Sequence, residues 1–156
     1  MTLKGVIFED FVNYKRPSMV LQFPKCSFKC GESVCQNSAL ALSPTIECRA
    51  RKLAEQYVDN PITEAIVMQG LEPMDSFGDV FEFISVLRDE LQCDDDVVIY
   101  TGYDESEISN ELLLLSTHFK NIIVKFGRYI PNDNERYDEV LGVKLASSNQ
   151  YARKIS

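Results

Sequence analysis

A chain of 156 residues that is 45% hydrophobic and 26% charged has the length and composition of one globular domain, able to bury roughly 70% of its unfolded surface without disulfides. Its net charge of −8 repels phosphate backbones and argues against nucleic-acid binding. The longest apolar runs, Leu112–Leu115 among them, are far too short for a membrane span and no apolar leader opens the sequence, so a soluble, cytoplasmic protein is expected.

Strand-like and helix-like segments alternate along the chain. Gly5–Phe8 reads as a short strand and Met19–Phe23 as a buried one. Pro24–Asn37, rich in Cys, Ser, Lys and Gly, is a loop. Ile46, Ala50, Leu53, Ala54 and Tyr57 recur at helical spacing and predict a helix over Thr45–Val58, introduced by Pro44 and stopped before Asn60-Pro61. Glu64–Met68 is a strand ending in Gln69-Gly70, and Ser76–Leu91 is a helix with Phe77, Val80, Phe81, Ile84, Leu87 and Leu91 as its apolar stripe. Val97–Thr101 is a strand, Asp104–Phe119 a helix, Asn121–Phe126 a strand and Gly142–Leu145 a last short strand. The polar stretch Tyr129–Glu139 is expected to be a surface loop.

Strands alternating with helices of this length imply parallel pairing and an α/β fold. No repeat or linker interrupts residues 1–156, so a single domain is expected. The cysteine-bearing loop, the segment Gly70-Leu71-Glu72-Pro73, Gly102 and Gly127 each follow a predicted strand. Ligands bind at that edge of parallel sheets, so these segments converge on one face.

Five cysteines without a secretion signal argue for free thiols or a metal site over a disulfide framework. Cys26, Cys30 and Cys35 share one short loop, in which Gly31 and Ser33 let the chain curl back. Three thiolates on a loop suit a soft metal centre. A cubane iron–sulfur cluster held by three cysteines keeps one iron open to a ligand. A zinc site completed by Cys48, or unligated thiols, are the other readings of the same spacing. Cys48 falls one turn inside the predicted helix and Cys93 before an acidic run, and each reads as an ordinary thiol.

At this point the pattern resembles the radical S-adenosylmethionine enzymes, and among them the small activating proteins of anaerobic ribonucleotide reductase. Their three-cysteine motif is matched at Cys26 and Cys30, and at Cys35 with two extra residues in the second gap and Val34 where an aromatic is usual. Asp10-Phe11-Val12-Asn13 is similar to their Asp-x-x-Asn, and Cys35-Gln36-Asn37 to their Cys-x-Asn. Gly70-Leu71-Glu72-Pro73 resembles Gly-Gly-Glu-Pro with Leu71 for the second glycine, and Tyr100-Thr101-Gly102-Tyr103 resembles a Tyr-Thr-Gly-Tyr segment. Phe126-Gly127-Arg128-Tyr129 resembles Asp-Gly-x-Tyr/Phe with Phe126 for Asp, and Ser147-Ser148-Asn149-Gln150 their Ser-Ser-Asn-Gln. The matches run in order from Asp10 to Gln150.

The resemblance implies an incomplete TIM-type barrel of parallel strands with helices outside, as one radical S-adenosylmethionine domain over residues 1–156. It implies a 4Fe–4S cluster on Cys26, Cys30 and Cys35, and S-adenosylmethionine held near Gly70, Glu72, Pro73, Thr101 and Tyr103. It further implies reductive cleavage of that cofactor and generation of a glycyl radical on a large partner, an anaerobic ribonucleotide reductase. A flavodoxin or ferredoxin would supply the electron. A radical enzyme acting on another peptide or small molecule, and a non-catalytic metal-binding module of the same fold, are the alternatives. From the residues themselves, Glu72 is either a loop-ordering group or a surface glutamate, Asn13 and Asn37 order loops, and Ser147–Gln150 either binds cofactor or terminates the sheet. His118, the single histidine, reads as a helix C-terminal dipole partner, and Met68 and Met74 as core.

Overall fold

The computed structural model describes residues 1–156. The chain opens with β1 (Thr2–Leu3), β2 (Gly5–Asp10) and β3 (Ser18–Phe23). A long segment carrying the three cysteines follows, with a short helix α1 (Ser38–Leu42) and β4 (Ile46–Glu47). Then come α2 (Ala50–Val58), β5 (Ala65–Gly70), α3 (Phe77–Ser85), β6 (Asp96–Tyr100), α4 (Ser109–His118) and β7 (Ile122–Phe126). β8 (Arg136–Asp138), β9 (Val143–Leu145) and β10 (Tyr151–Lys154) complete the chain.

Six strands form one sheet in the order β10-β7-β6-β5-β3-β2. β3, β5, β6 and β7 pair in parallel, whereas β2 and β10 pair antiparallel at the two edges. The structure is thus a mixed α/β fold, and the expectation of parallel pairing holds for its four inner strands. At the β2 edge the connection is short: seven residues separate β2 from β3, which allows a return stroke but no crossover helix; at the other edge the chain between β7 and β10 carries the β8–β9 hairpin and no helix.

Alternation along the strands divides the apolar residues between two faces. Met19, Leu21, Phe23, Ile66, Met68, Val97, Ile99, Val124 and Phe126 belong to a 25-residue core shared with Leu53 and Tyr57 of α2, Phe83 and Ile84 of α3, and Leu112 and Leu115 of α4. All three longer helices therefore cover one face. On the other face Val20, Val67, Val98 and Ile123 form a row in register across the sheet, covered by Tyr14, Leu141 and Leu145. Two residues further toward the strand ends, the same face turns polar: Gln22 pairs with Gln69 and Tyr100 with Lys125. Gln69, Tyr100 and Lys125 of that row line a cavity.

Several expectations are corrected. The helix predicted over Thr45–Val58 begins at Ala50, because Ile46 and Glu47 pair antiparallel with Leu3 and Thr2. Leu3 is fully buried there while Ile46 stays exposed, so burial of the chain start overrides the helical spacing of Ile46. Cys48 consequently lies outside the helix. The helix predicted to Leu91 gives way after Ser85 to a π turn, Val86–Glu90. β8 lies within the stretch expected to be a loop and pairs with β9, and β10 is an additional strand. The sheet is open, with β2 and β10 as separate edges, which is compatible with the expected incomplete barrel.

Candidate metal and cofactor site

The cavity lies at the C-terminal ends of the parallel strands and encloses about 360 Å³. Its wall includes Cys26, Cys30 and Cys35 from the loop after β3, Gly70 and Glu72 after β5, Thr101 and Tyr103 after β6, and Lys125 at the end of β7. Of these, Cys26, Cys30, Cys35, Gly70, Glu72, Thr101 and Tyr103 are sequence-predicted, and all seven reach the same cavity. Pro73 does not line it; it is buried one step away, at the first position of a 3-10 turn that Glu72 caps.

The cysteine loop turns through a positive φ of 51° at Phe28 and 96° at Gly31. Its three thiols are half-buried and free of disulfides. The Phe28 N–H points at Cys26 Sγ, 3.2 Å away. Burial pushes the Cys26 thiol up, and this N–H works in the opposite direction. No three His, Cys, Asp or Glu side chains are drawn together tightly enough to chelate an ion, so the sulfurs line one cavity without converging on one point. Cys48 packs beside Met1 and Cys93 against the opposite end of the core, so neither supplies a fourth thiol. Three soft donors on one loop, with no fourth thiol beside them, fit a cluster held by three cysteines better than a four-thiol zinc site.

Glu72 is a structural keystone of the second segment. Its carboxylate accepts from the Met74 N–H at 3.1 Å, the Thr101 hydroxyl at 2.8 Å and the Gly102 N–H at 2.9 Å. It is buried, not a surface glutamate. Desolvation raises its pKa, opposed by the three donors. Thr101 is spent on Glu72, so it ties the β6 end to the β5 end. Gly70 has a φ of 104°, and a Cβ there would stand 2.7 Å from the Phe23 backbone nitrogen; only glycine fits the crossing of the two strand ends. Asn37 Nδ2 donates to the Gly70 carbonyl at 2.6 Å, and Asn13 Nδ2 to Asp10 at 3.1 Å, so both asparagines order loops as expected. Ser147–Gln150 also has a structural role. Ile130 N donates to Ser147, Asn149 to the Arg128 carbonyl and Gln150 to the Gly127 carbonyl, fastening the segment after β7.

Lys125 is the residue that the sequence reading overlooked. It is buried, and its ammonium donates to the Gly127 carbonyl at 3.0 Å with the Tyr100 ring centroid 5.9 Å away. Burial holds its pKa down to about 8. A lysine inside the otherwise apolar strand Ile122-Ile123-Val124-Lys125-Phe126 was the available signal. Phe126, by contrast, points into the helix-side core. His118 is exposed at the end of α4, its Nδ1 2.8 Å from the Leu114 carbonyl, and takes no part in the cavity.

No curated protein and no solved structure matches the chain. The profile of the family described as a 4Fe-4S single cluster domain, which is associated with radical S-adenosylmethionine proteins, matches residues 16–151. The chain belongs to that family.

Proposed function

We propose that this member of the 4Fe–4S single cluster family is a radical S-adenosylmethionine activase whose partner is a large glycyl-radical enzyme of the anaerobic ribonucleotide reductase type. The observation that carries the reading is the convergence of three thiols, the Gly70–Glu72 segment and a buried lysine on one cavity at the ends of the parallel strands. When bound and reduced, a cluster with an open iron supplies an electron to S-adenosylmethionine, releasing methionine and a 5′-deoxyadenosyl radical able to take hydrogen from a partner glycine.

In this reading Cys26, Cys30 and Cys35 hold the cluster. Backbone carbonyls of the Gly70–Glu72 segment accept from the ammonium of the cofactor's amino-acid end, and Glu72 fixes that segment through its three donors. Lys125, with only one acceptor on its ammonium, gives a ligand carboxylate a desolvated partner. Gly102 and Tyr103 border the ligand, and Pro73 stiffens the turn behind it. The four parallel strands in sequential order, with helices on one face only, correspond to part of a barrel. A large partner covers the open side, where Phe11 and Val12 are exposed at 65% and 72% and Val12 reaches the cavity wall. A flavodoxin or ferredoxin is the expected electron donor.

The test is anaerobic reconstitution with iron and sulfide, reduction, and addition of S-adenosylmethionine with a candidate reductase. Release of 5′-deoxyadenosine together with a glycyl radical signal is expected. Cofactor cleavage without a glycyl signal on any candidate reductase would sink the partner assignment. No cleavage by a protein with an intact cluster would sink the activase reading itself.

A further inference from the structure

The two arms of the cysteine loop are held differently. In the first arm, the Ser27 N–H donates to Asp75 Oδ2 at 2.7 Å. The Tyr103 hydroxyl donates to Asp75 Oδ1 at 2.7 Å and lies 3.1 Å from Ser27 Oγ. Lys29 Nζ stands 4.6 Å from the Tyr103 ring centroid and 3.7 Å from Glu107. Arg128, 5.6 Å from the same ring, donates to both Glu107 oxygens at 2.7 and 2.8 Å. Ser27 and Lys29, which lie between Cys26 and Cys30, are therefore both tied to Tyr103. In the second arm the hydrogen bonds are local: Val34 N to Gly31 O and Cys35 N to Glu32 O. The next tie to the body is Asn37, beyond Cys35.

We propose that Asp75 and Tyr103 are positioning residues that preset the Cys26–Cys30 segment, so that the loop takes up its metal centre by closing the Cys35 arm onto two thiols already in place. The inference rests on the reading of the three cysteines as ligands and adds two residues to the loop's support. It gives Tyr103 a role as the post of the loop, since its hydroxyl is engaged by Asp75 and its ring by two cations. Two ligands ordered before binding remove part of the conformational entropy that metal uptake would otherwise cost. The Asp75 carboxylate also places negative charge beside Cys26, which disfavours addition of an electron to a bound cluster.

The experiment has two arms, on Asp75→Ala, Asp75→Asn and Tyr103→Phe. In metal-free protein, site-resolved hydrogen exchange reads the clasp directly. The Ser27 amide is expected to lose protection by roughly tenfold in Asp75→Ala, to be partly rescued in Asp75→Asn, and to change less in Tyr103→Phe, while the Glu32–Cys35 amides stay as in wild type. In reconstituted protein, Asp75→Ala is expected to lose iron to a chelator faster and to shift the midpoint potential to more positive values. Unchanged Ser27 protection in Asp75→Ala would overturn the proposal. So would loss of that protection with chelator resistance and potential both as in wild type, since the clasp would then be structural only. Should Asp75→Ala fail to fold, Asp75→Asn decides by the same readouts, with a smaller loss of Ser27 protection and the same positive shift of potential expected, and wild-type values of both overturning the proposal. If wild type binds no cluster, the reading of the cysteines fails, yet the exchange arm still reports on the clasp.

Discussion

The two ends of the parallel strands treat polar groups in opposite ways. Where the strands begin, polar side chains are consumed by the fold. The buried Arg88 guanidinium donates to the carbonyls of Cys93 at 2.5 Å, Asp95 at 2.7 Å and Lys120 at 3.0 Å. Tyr57 donates to Asp95 at 2.7 Å and Tyr14 to Asp96 at 2.9 Å. Where the strands finish, three thiols and a buried ammonium face a cavity, and the ammonium has one acceptor. Groups of both kinds carry perturbed pKa values: desolvation lowers Arg88 as it lowers Lys125. Burial alone therefore does not mark the working end. What marks it is bonding capacity that the fold leaves unused, on thiols and on an ammonium with a single acceptor, facing a space that a ligand can fill.

The comparison breaks most sharply at the cysteines. Replacing Cys26, Cys30 or Cys35 by Ala is expected to abolish cluster retention, measured as iron and sulfide per chain. The melting temperature of the metal-free protein should barely move, because none of the three belongs to either core. At the opposite end Arg88→Met should do the reverse. It removes the donor shared by the carbonyls of Cys93, Asp95 and Lys120 and should cost about 1–3 kcal/mol in a urea melt, with cluster stoichiometry unchanged.

Lys125→Met sharpens the contrast through pH. The folded value of about 8 lies below the ordinary 10.5, so the charged lysine costs stability below pH 8, and the cost disappears as pH rises from 8 to 10.5. The variant should be more stable than wild type by up to roughly 3 kcal/mol below pH 8, the gap closing through that window. Its affinity for S-adenosylmethionine should fall, which titration of the reconstituted protein would show. A working-end residue that destabilises the resting fold is the signature expected. The smallest effect is at the surface: Arg51, bonded to Glu55 at 2.9 Å and to Glu90, is exposed, and Arg51→Ala should leave the urea midpoint almost where it is, because solvent screens the pair.

Much of the fold was legible because its core obeys simple periodicities. Met19–Phe23 and Val97–Thr101 sit within a residue or two of β3 and β6, and the stripes over Ser76–Leu91 and Asp104–Phe119 locate α3 and α4. The failures occur where tertiary pairing decides. Ile46 had helical spacing but pairs with Leu3. The Tyr129–Glu139 stretch looked too polar for a strand, yet Asp138 is buried and caps a turn, accepting from the Val140 and Leu141 N–H groups at 3.0 Å. Direction was hidden too, since nothing in Gly5–Phe8 says that it runs antiparallel to β3. At the site, the cysteines and the Gly70–Glu72 segment were visible as residue types that a core does not need. Lys125 was hidden by the habit of reading a strand for its apolar members. Asp75 was hidden because its partners, Ser27 and Tyr103, lie 48 and 28 residues away.

In the proposed function the cysteine loop holds one cluster with an iron open to S-adenosylmethionine. That assignment is tested most directly by low-temperature EPR of the reduced, anaerobically reconstituted protein with and without that cofactor. The expected result is a 4Fe–4S signal of about one cluster per chain, in keeping with a single-cluster family, whose g-values shift when S-adenosylmethionine is added. A cluster signal that does not respond to the cofactor, or a protein that takes up zinc and no sulfide, would contradict it.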